Sequence, residues 1–227
     1  MSQRASGLSS VPRFRSARAG PELDMVHAAL AAGLPFKWTD EAVVLQEPEL
    51  PSGVPDILLL RMNTLPFTEV MFSDQELKLL HFVSSRQVVH LSEVSELLRW
   101  TKRAIDVGVS SLEAHQFLVL RNSQLRPTKL ARLFLAREII AIEAKVGEWR
   151  RALMQARSNQ WFASQSYVLL KGQISPSVVE AASAVGVGVL QFNGGRTKIV
   201  VRSERCRLPG SYASWLVSMW ARVETRA

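Results

Sequence analysis

The sequence has little cysteine, no long apolar run and few acidic residues. Its single cysteine, Cys206, excludes a disulfide scaffold within one chain and a cysteine-based zinc cluster. No stretch approaches the roughly 18 apolar residues that a spanning helix needs. Residues 1–20 also lack the apolar segment of a secretory signal. We therefore expect a cytoplasmic protein without a membrane partner.

The composition is that of a folded, basic protein. Of the 227 residues, 47% are hydrophobic, which is enough for the core of one large domain or two small ones. Lys and Arg number 28 against 20 Asp and Glu, a net charge of +8. This excess indicates a polyanionic partner, first nucleic acid and second an anionic membrane surface, with charge for solubility as the alternative. Residues 1–20 contain four arginines and no acid, and we expect a flexible basic arm there.

The segment 73–136 has the pattern of a small helical domain. Ser73 and Glu76 have the spacing of a capping box that begins a helix. A second helix is predicted over Leu91–Leu98 and a third over Lys102–His115. Two short apolar strands then flank a turn at Asn122. Three helices followed by a hairpin resemble a winged helix-turn-helix domain, which implies docking in the major groove of duplex DNA.

Basic residues are concentrated on the third helix and the hairpin of this segment, as phosphate contacts require. This pattern favours double-stranded DNA over RNA as the partner. A winged helix used only for protein contacts is the alternative. The candidate DNA-binding residues are Arg99, Lys102, Arg103, Arg121, Arg126 and Lys129.

Two buried strands carry the residues that suggest chemistry. Asp56 directly precedes the apolar run Ile57–Leu60, and Glu143 and Lys145 end the apolar run that begins at Ile139. Strand alternation places Glu143 and Lys145 on one face. If the two strands are antiparallel neighbours, Asp56 joins them. Two carboxylates are hard ligands suited to Mg²⁺ or Mn²⁺, and a lysine nearby can stabilise developing charge.

The motif Pro55-Asp56 with Glu143-Ala144-Lys145 resembles that of the PD-(D/E)xK nuclease superfamily. The resemblance implies a restriction-endonuclease-like α/β (α+β) fold, a mixed sheet flanked by helices. It also implies that Asp56, Glu143 and the Ala144 carbonyl bind Mg²⁺ (or Mn²⁺), while Lys145 assists the attacking water. The alternative is that Glu143 and Lys145 form an exposed ion pair at a strand edge.

Two further residues are candidates by the same resemblance. Gln155 lies on the helix predicted after Lys145, where some nucleases of this fold carry a glutamine that contacts the metal site or DNA. Glu22, in the first helix, could supply an additional acid. Their alternatives are a solvated glutamine and a glutamate that favours the helix N-terminus.

The spacing of the motif predicts an inserted domain. Asp56 and Glu143 are 87 positions apart, and removing the 64 residues of segment 73–136 leaves 23, an ordinary connection between paired strands. We therefore predict a basic arm over 1–20, a discontinuous nuclease-like core over 21–72 and 137–227, and a winged helix-turn-helix insertion over 73–136.

The sequence as a whole favours a Mg²⁺-dependent DNA endonuclease that hydrolyses phosphodiester bonds. Family association suggests a bacterial or phage defence, mobile-element or repair enzyme. The alternative is a non-catalytic DNA-binding protein or transcription regulator on a nuclease-like scaffold, and a third reading is an assembly subunit. A homodimer would supply two sites for two DNA strands, and a protein partner is also left open.

Overall fold

The computed structural model describes residues 12–16, 18–65 and 71–224, with Asp40 described by its backbone alone. The helices are α1 (Pro21–Ala31), α2 (Asp74–Arg86), α3 (Leu91–Leu98), α4 (Lys102–Ala114), α5 (Lys129–Phe134), α6 (Trp149–Asn159), α7 (Pro176–Ala184) and α8 (Tyr212–Glu224). The strands are β1 (Val43–Gln46), β2 (Ile57–Arg61), β3 (Val89–His90), β4 (Leu118–Arg121), β5 (Gln124–Pro127), β6 (Glu138–Lys145), β7 (Gln165–Lys171), β8 (Gly188–Asn193) and β9 (Arg196–Val201).

The chain divides into two compact units. One, the sheet unit, consists of Arg13–Met62 and Ala136–Pro209. The other, the helical unit, contains Asn63–Leu135 and Gly210–Ala227. The predicted α+β class is confirmed, because the sheet unit has a mixed six-stranded sheet and the helical unit a small antiparallel sheet among helices.

The sheet unit is a layered α/β structure in which the strands run in the order β1-β2-β6-β7-β8-β9. The central strands β2 and β6 are buried along nearly their whole length. Residues of α1 pack with one face of the sheet, while α6 and α7 cover the other. Burial on both faces explains why these two strands read as continuous apolar runs rather than alternating patterns.

The pairing of the strands determines which ends of β2 and β6 lie next to each other. Strands β2 and β6 are antiparallel, with Ile57 opposite Ile142 and Arg61 opposite Glu138. Strands β6 and β7 are parallel and are joined through α6. The chain leaves the sheet unit after β2 and returns at β6, so the long gap between Asp56 and Glu143 is taken up by residues of the other unit. The start of β2 therefore lies beside the end of β6.

Part of the predicted flexible arm is folded onto the sheet unit, which corrects that prediction. Phe14 forms a β-bridge with Pro48, and the Arg15 N–H donates to the Glu47 carbonyl at 2.9 Å. The Glu49 N–H donates in turn to the Arg13 carbonyl at 2.9 Å. These bonds satisfy backbone groups that would otherwise need water. Residues 1–11 and 17 of the predicted arm lie outside the described residues.

The helical unit contains the predicted three helices and hairpin. Its strands form the order β3-β5-β4, all antiparallel. The capping box that begins α2 is present, since Ser73 Oγ accepts from the Glu76 N–H and Glu76 bonds back to the Ser73 N–H. Thr101 caps α4 by accepting from the Ala104 N–H. Strand β3 and helix α5 were not predicted, because two and six residues are too short for a periodic pattern.

The C-terminal helix α8 belongs to the helical unit, which corrects its prediction as part of the 137–227 core. Trp215 stacks on Phe134, with ring centroids 5.9 Å apart and an angle of 19°. The Arg222 guanidinium donates to the carbonyls of Phe134, Leu133 and Asn63. Every residue from Ala213 to Ala221 is buried. A helix buried on all sides needs long-range partners that its own sequence does not identify.

No helix within the described ranges combines the length and apolar character required to cross a membrane.

Candidate functional site

Asp56 and Glu143 lie side by side at one end of the sheet. The antiparallel ladder ends with Ile57 opposite Ile142, so Asp56 and Glu143 are the next residues of the two chains at this end of the sheet. Asp56 Oδ2 accepts a hydrogen bond from the Ala144 N–H at 2.7 Å. An extended residue points its N–H and C=O to the same side of its strand, so the Ala144 carbonyl is directed toward the Asp56 side.

Glu143 is a buried acid, only 3% exposed. Asn159 Nδ2 of α6 donates to its Oε1 at 2.7 Å. Burial, reinforced by the neighbouring Asp56 carboxylate, raises the pKa of Glu143 from 4.5 to about 8, against the opposing influence of Asn159 and Lys145. Burial also raises the pKa of Asp56. Two carboxyl groups that resist ionisation together create a place where added positive charge is favoured.

Lys145 completes the acid-rich end of the sheet. Its Nζ donates to Glu22 Oε2 at 2.7 Å, with the lysine side chain 14% exposed and the glutamate side chain 46%. Glu22 is in the first turn of α1, so the candidate additional acid does reach this site. The alternative of an exposed Glu143–Lys145 pair is wrong, because Glu143 is buried and Lys145 pairs with Glu22.

A cleft of about 580 Å³ opens beside these residues within the sheet unit. Its walls include Arg15, Glu22, Glu47, Asp56, Lys145 and Gln155. Gln155 lies on α6, as predicted, and its Oε1 is buried without a hydrogen-bond partner among the described residues. A buried amide oxygen without a donor is costly, which makes it a ready acceptor for a ligand or a ligand-bound water.

The donor set fits a divalent cation with oxygen ligands. Each carboxylate uses one oxygen in a protein hydrogen bond, while Asp56 Oδ1 and Glu143 Oε2 make none with the residues described here. The Ala144 carbonyl and Gln155 Oε1 add neutral oxygens on the same end of the sheet. No group of three or more His, Cys, Asp and Glu placed to hold a metal occurs in the described part of the chain. A cation here would keep several waters, as Mg²⁺ commonly does.

Sequence reasoning missed Asn159, Arg15 and Glu47. The signal for Asn159 was available, since it lies four residues after Gln155 and shares the inner stripe of α6 with Ala152 and Ala156. Arg15 and Glu47 gave no local signal. Their pairing, with Arg15 Nε donating to Glu47 Oε2 at 2.5 Å, joins positions 32 residues apart.

The candidate DNA-binding residues all belong to the helical unit and are all exposed. Arg99 ends α3 in a left-handed conformation with φ of 53°. The others lie in the first turn of α4, in the β4–β5 hairpin and at the start of α5. Across the described ranges, the set makes no salt bridge; its members are Arg99, Lys102, Arg103, Arg121, Arg126 and Lys129. Their charges are thus available to an anionic partner.

Comparisons with known proteins add no functional information. No family model and no curated protein matches the sequence. Among solved structures, a protein of unknown function from Silicibacter pomeroyi is similar over 51% of this chain and 79% of its own, with 16% identity and a TM-score of 0.31. Similarity at this level supports no argument about fold or function.

Proposed function

We propose that this protein is a Mg²⁺-dependent DNA endonuclease whose phosphodiester hydrolysis takes place in the cleft of the sheet unit. The observation that carries the proposal is the meeting of Asp56 and Glu143 on adjacent antiparallel strands, with Lys145 at the end of the second. This juxtaposition joins residues 87 positions apart. Three ionisable side chains placed together with low exposure at one strand end destabilise the fold, which favours a functional reason for their position.

The oxygens of Asp56, Glu143 and Ala144 would hold Mg²⁺ or Mn²⁺. Such an ion polarises a phosphoryl oxygen and lowers the pKa of a bound water. Glu143 is protonated in the free protein at neutral pH. It would lose its proton on binding the ion, because the positive charge of the ion offsets the repulsion between the two carboxylates.

Lys145 and Gln155 would act on the attacking water. The Lys145 ammonium stabilises negative charge that develops on the water or the phosphate, and Glu22 holds that ammonium in place. Gln155 Oε1, buried and without a donor among the described residues, would accept a hydrogen bond from the same water and orient it. Both side chains line the cleft with Asp56.

The helical unit would bind the duplex DNA. Its exposed basic residues occupy the helix α4, where Lys102 and Arg103 begin the helix, and the hairpin that follows. Helices of this kind contact the major groove with their N-terminal residues while hairpin side chains contact phosphates.

A second candidate is a non-catalytic DNA-binding protein. It is favoured by the hydrogen bonds that already engage the site, since Asp56 accepts from Ala144 and Lys145 donates to Glu22. In this case the charged residues would only hold α1 and the two strands together, and the helical unit would carry the function.

Cleavage of plasmid and linear DNA in Mg²⁺, in Mn²⁺ and in EDTA tests the proposal. Asp56→Asn and Lys145→Ala should abolish metal-dependent cleavage while leaving gel-shift binding intact. The matched control is Glu148→Gln, which removes an acid that lines the same cleft but is 72% exposed. Calorimetry with Mg²⁺ alone measures the cation site without reference to cleavage.

The outcomes separate the two candidates. Metal-dependent cleavage lost in both site variants and kept in the control supports the endonuclease. DNA binding without cleavage in any metal, together with no heat of Mg²⁺ binding, supports the non-catalytic protein. Equal cleavage by wild type and both site variants would overturn the assignment of the site.

A further inference from the structure

Arg15 is held firmly beside the acidic end of the sheet. Its N–H donates to the Glu47 carbonyl at 2.9 Å, and the bridge of Phe14 with Pro48 fixes the preceding residue. Glu47 is itself anchored, because its N–H donates to the Asp56 carbonyl at 3.1 Å. A continuous chain of backbone bonds thus links Arg15 to the residue that carries the first carboxylate.

The guanidinium of Arg15 is oriented but only partly used. Nε donates to Glu47 Oε2 at 2.5 Å, and the Glu47 side chain is 14% exposed. The Arg15 side chain is 51% exposed. Its Nη1 and Nη2 groups donate to none of the residues that the structure describes. The hydrogen bond to Glu47 therefore fixes the orientation of the planar Arg15 guanidinium, and its two terminal amino groups remain available to bind a ligand.

Other arginines line the cleft, but the Arg15 guanidinium is held by a short hydrogen bond to Glu47. Arg18 and Arg151 also line the cleft. The Arg151–Glu148 pair is 3.6 Å apart with side chains 67% and 72% exposed, so it is weak. Arg15, in contrast, is held by its 2.5 Å hydrogen bond to Glu47 and lines the cleft together with Asp56, so its charge faces the same cleft as that carboxylate.

We infer that Arg15 binds a phosphate group of the nucleic acid and sets it against Asp56 and Glu143, with Glu47 as its positioning residue; this rests on the proposed function. A planar fork with free amino groups binds phosphate through two parallel hydrogen bonds. A cation fixed beside these acids adds to the attraction that a bound metal ion would exert on the phosphate, and it orients the anion. Arg15 provides both features.

The experiment compares Arg15→Ala, Arg15→Lys and Glu47→Gln with the control Arg13→Ala, which alters the same segment outside the cleft. Each substitution is introduced into the wild-type protein, in which kcat and KM are measured on a short DNA duplex in Mg²⁺. Each is also introduced into the Lys145→Ala protein, in which binding of the same duplex is measured by fluorescence anisotropy. Thermal melting confirms that every variant is folded. We expect Arg15→Ala to weaken binding about tenfold or more, since hydrogen bonds to charged groups are strong.

Arg15→Lys keeps the charge but loses the fork, so it should recover only part of the affinity. Glu47→Gln should fall between wild type and Arg15→Ala, and Arg13→Ala should stay within about twofold of wild type. Unchanged binding in Arg15→Ala, or full activity in Arg15→Lys, would overturn the inference. If wild type never cleaves but Arg15→Ala still loses binding relative to Arg13→Ala, the phosphate contact stands and the endonuclease proposal fails.

Discussion

Glu143 is a carboxyl group almost completely removed from water and placed beside a second carboxyl. Among the described residues only Asn159 donates a hydrogen bond to it, so the ionised form of Glu143 is unfavourable in the folded protein. Glu148, in contrast, lines the cleft with a side chain that is 72% exposed. The difference in burial comes from position in the fold, because both residues are ordinary glutamates in sequence.

The buried carboxyl predicts an unusual dependence of stability on pH. With a folded-state pKa of about 8 against an ordinary 4.5, folded Glu143 keeps its proton where the unfolded chain has lost it. The free energy of unfolding should therefore fall as pH rises from about 5 to 8, by at most about 1.4 kcal/mol per pH unit from this group.

Urea denaturation in EDTA across that pH range checks the prediction. The control is Glu143→Gln, which stays neutral and should give a flatter profile in the same window. Parallel profiles for the two proteins would show that Glu143 is not buried in its protonated form. Adding Mg²⁺ should stabilise the wild-type protein most at the alkaline end of the range, where removing the proton from Glu143 requires the least free energy.

At the scale of elements, β7 and β8 approach unusually closely at one pair. Tyr167 lies opposite Gly188 in the parallel ladder. A Cβ on Gly188 would overlap the Tyr167 ring and would lie 2.7 Å from the Ser203 backbone nitrogen. Glycine is needed here for close packing, since the backbone of a neighbouring segment cannot move aside easily.

Gly188→Ala should therefore destabilise the sheet unit by about 1–3 kcal/mol, as overpacking of a dense core does. The control is Gly147→Ala, where an added Cβ meets no atom within 4 Å and φ is not positive. Urea midpoints of the two variants check the difference. A Gly188→Ala midpoint equal to that of the control would contradict the close packing.

The order of elements is the part of the fold that local patterns predict best. The capping box at Ser73, the cap at Thr101 and the buried strands β2 and β6 all lie where the sequence places them. Each depends on residues within about four positions or on uninterrupted apolar character. Strand β3 and helix α5 depend on tertiary neighbours, which is why they carry no readable signal.

At the scale of the whole molecule, the excess of basic residues predicts salt-dependent DNA binding. The six exposed basic residues of the helical unit make no salt bridge within the described ranges, so each can replace a counterion on a phosphate. The logarithm of the binding constant should fall linearly with the logarithm of salt concentration.

Arg103→Ala should reduce that slope by about one. Lys78→Ala, on α2 of the same unit, removes an equal charge outside the candidate set and should leave the slope nearly unchanged. Fluorescence titrations at several salt concentrations measure both. Equal slopes for Arg103→Ala and wild type would show that α4 does not contact the phosphates.

The sequence by itself determined the elements and the residue types of the candidate site. Asp56 before one buried strand and Glu143 and Lys145 at the end of another could be selected because strand periodicity and apolar runs are local properties. Gln155 and Glu22 could be placed on helices for the same reason, and the structure puts both in the cleft with Asp56.

Only the tertiary structure decided how distant segments meet. It paired Lys145 with Glu22, Glu143 with Asn159 and Arg15 with Glu47, and it assigned α8 to the helical unit. These contacts join positions from 16 to 123 residues apart. These contacts are stabilised by burial, and they depend on the register of paired strands and on the packing of helices against the sheet. No short stretch of sequence encodes either property.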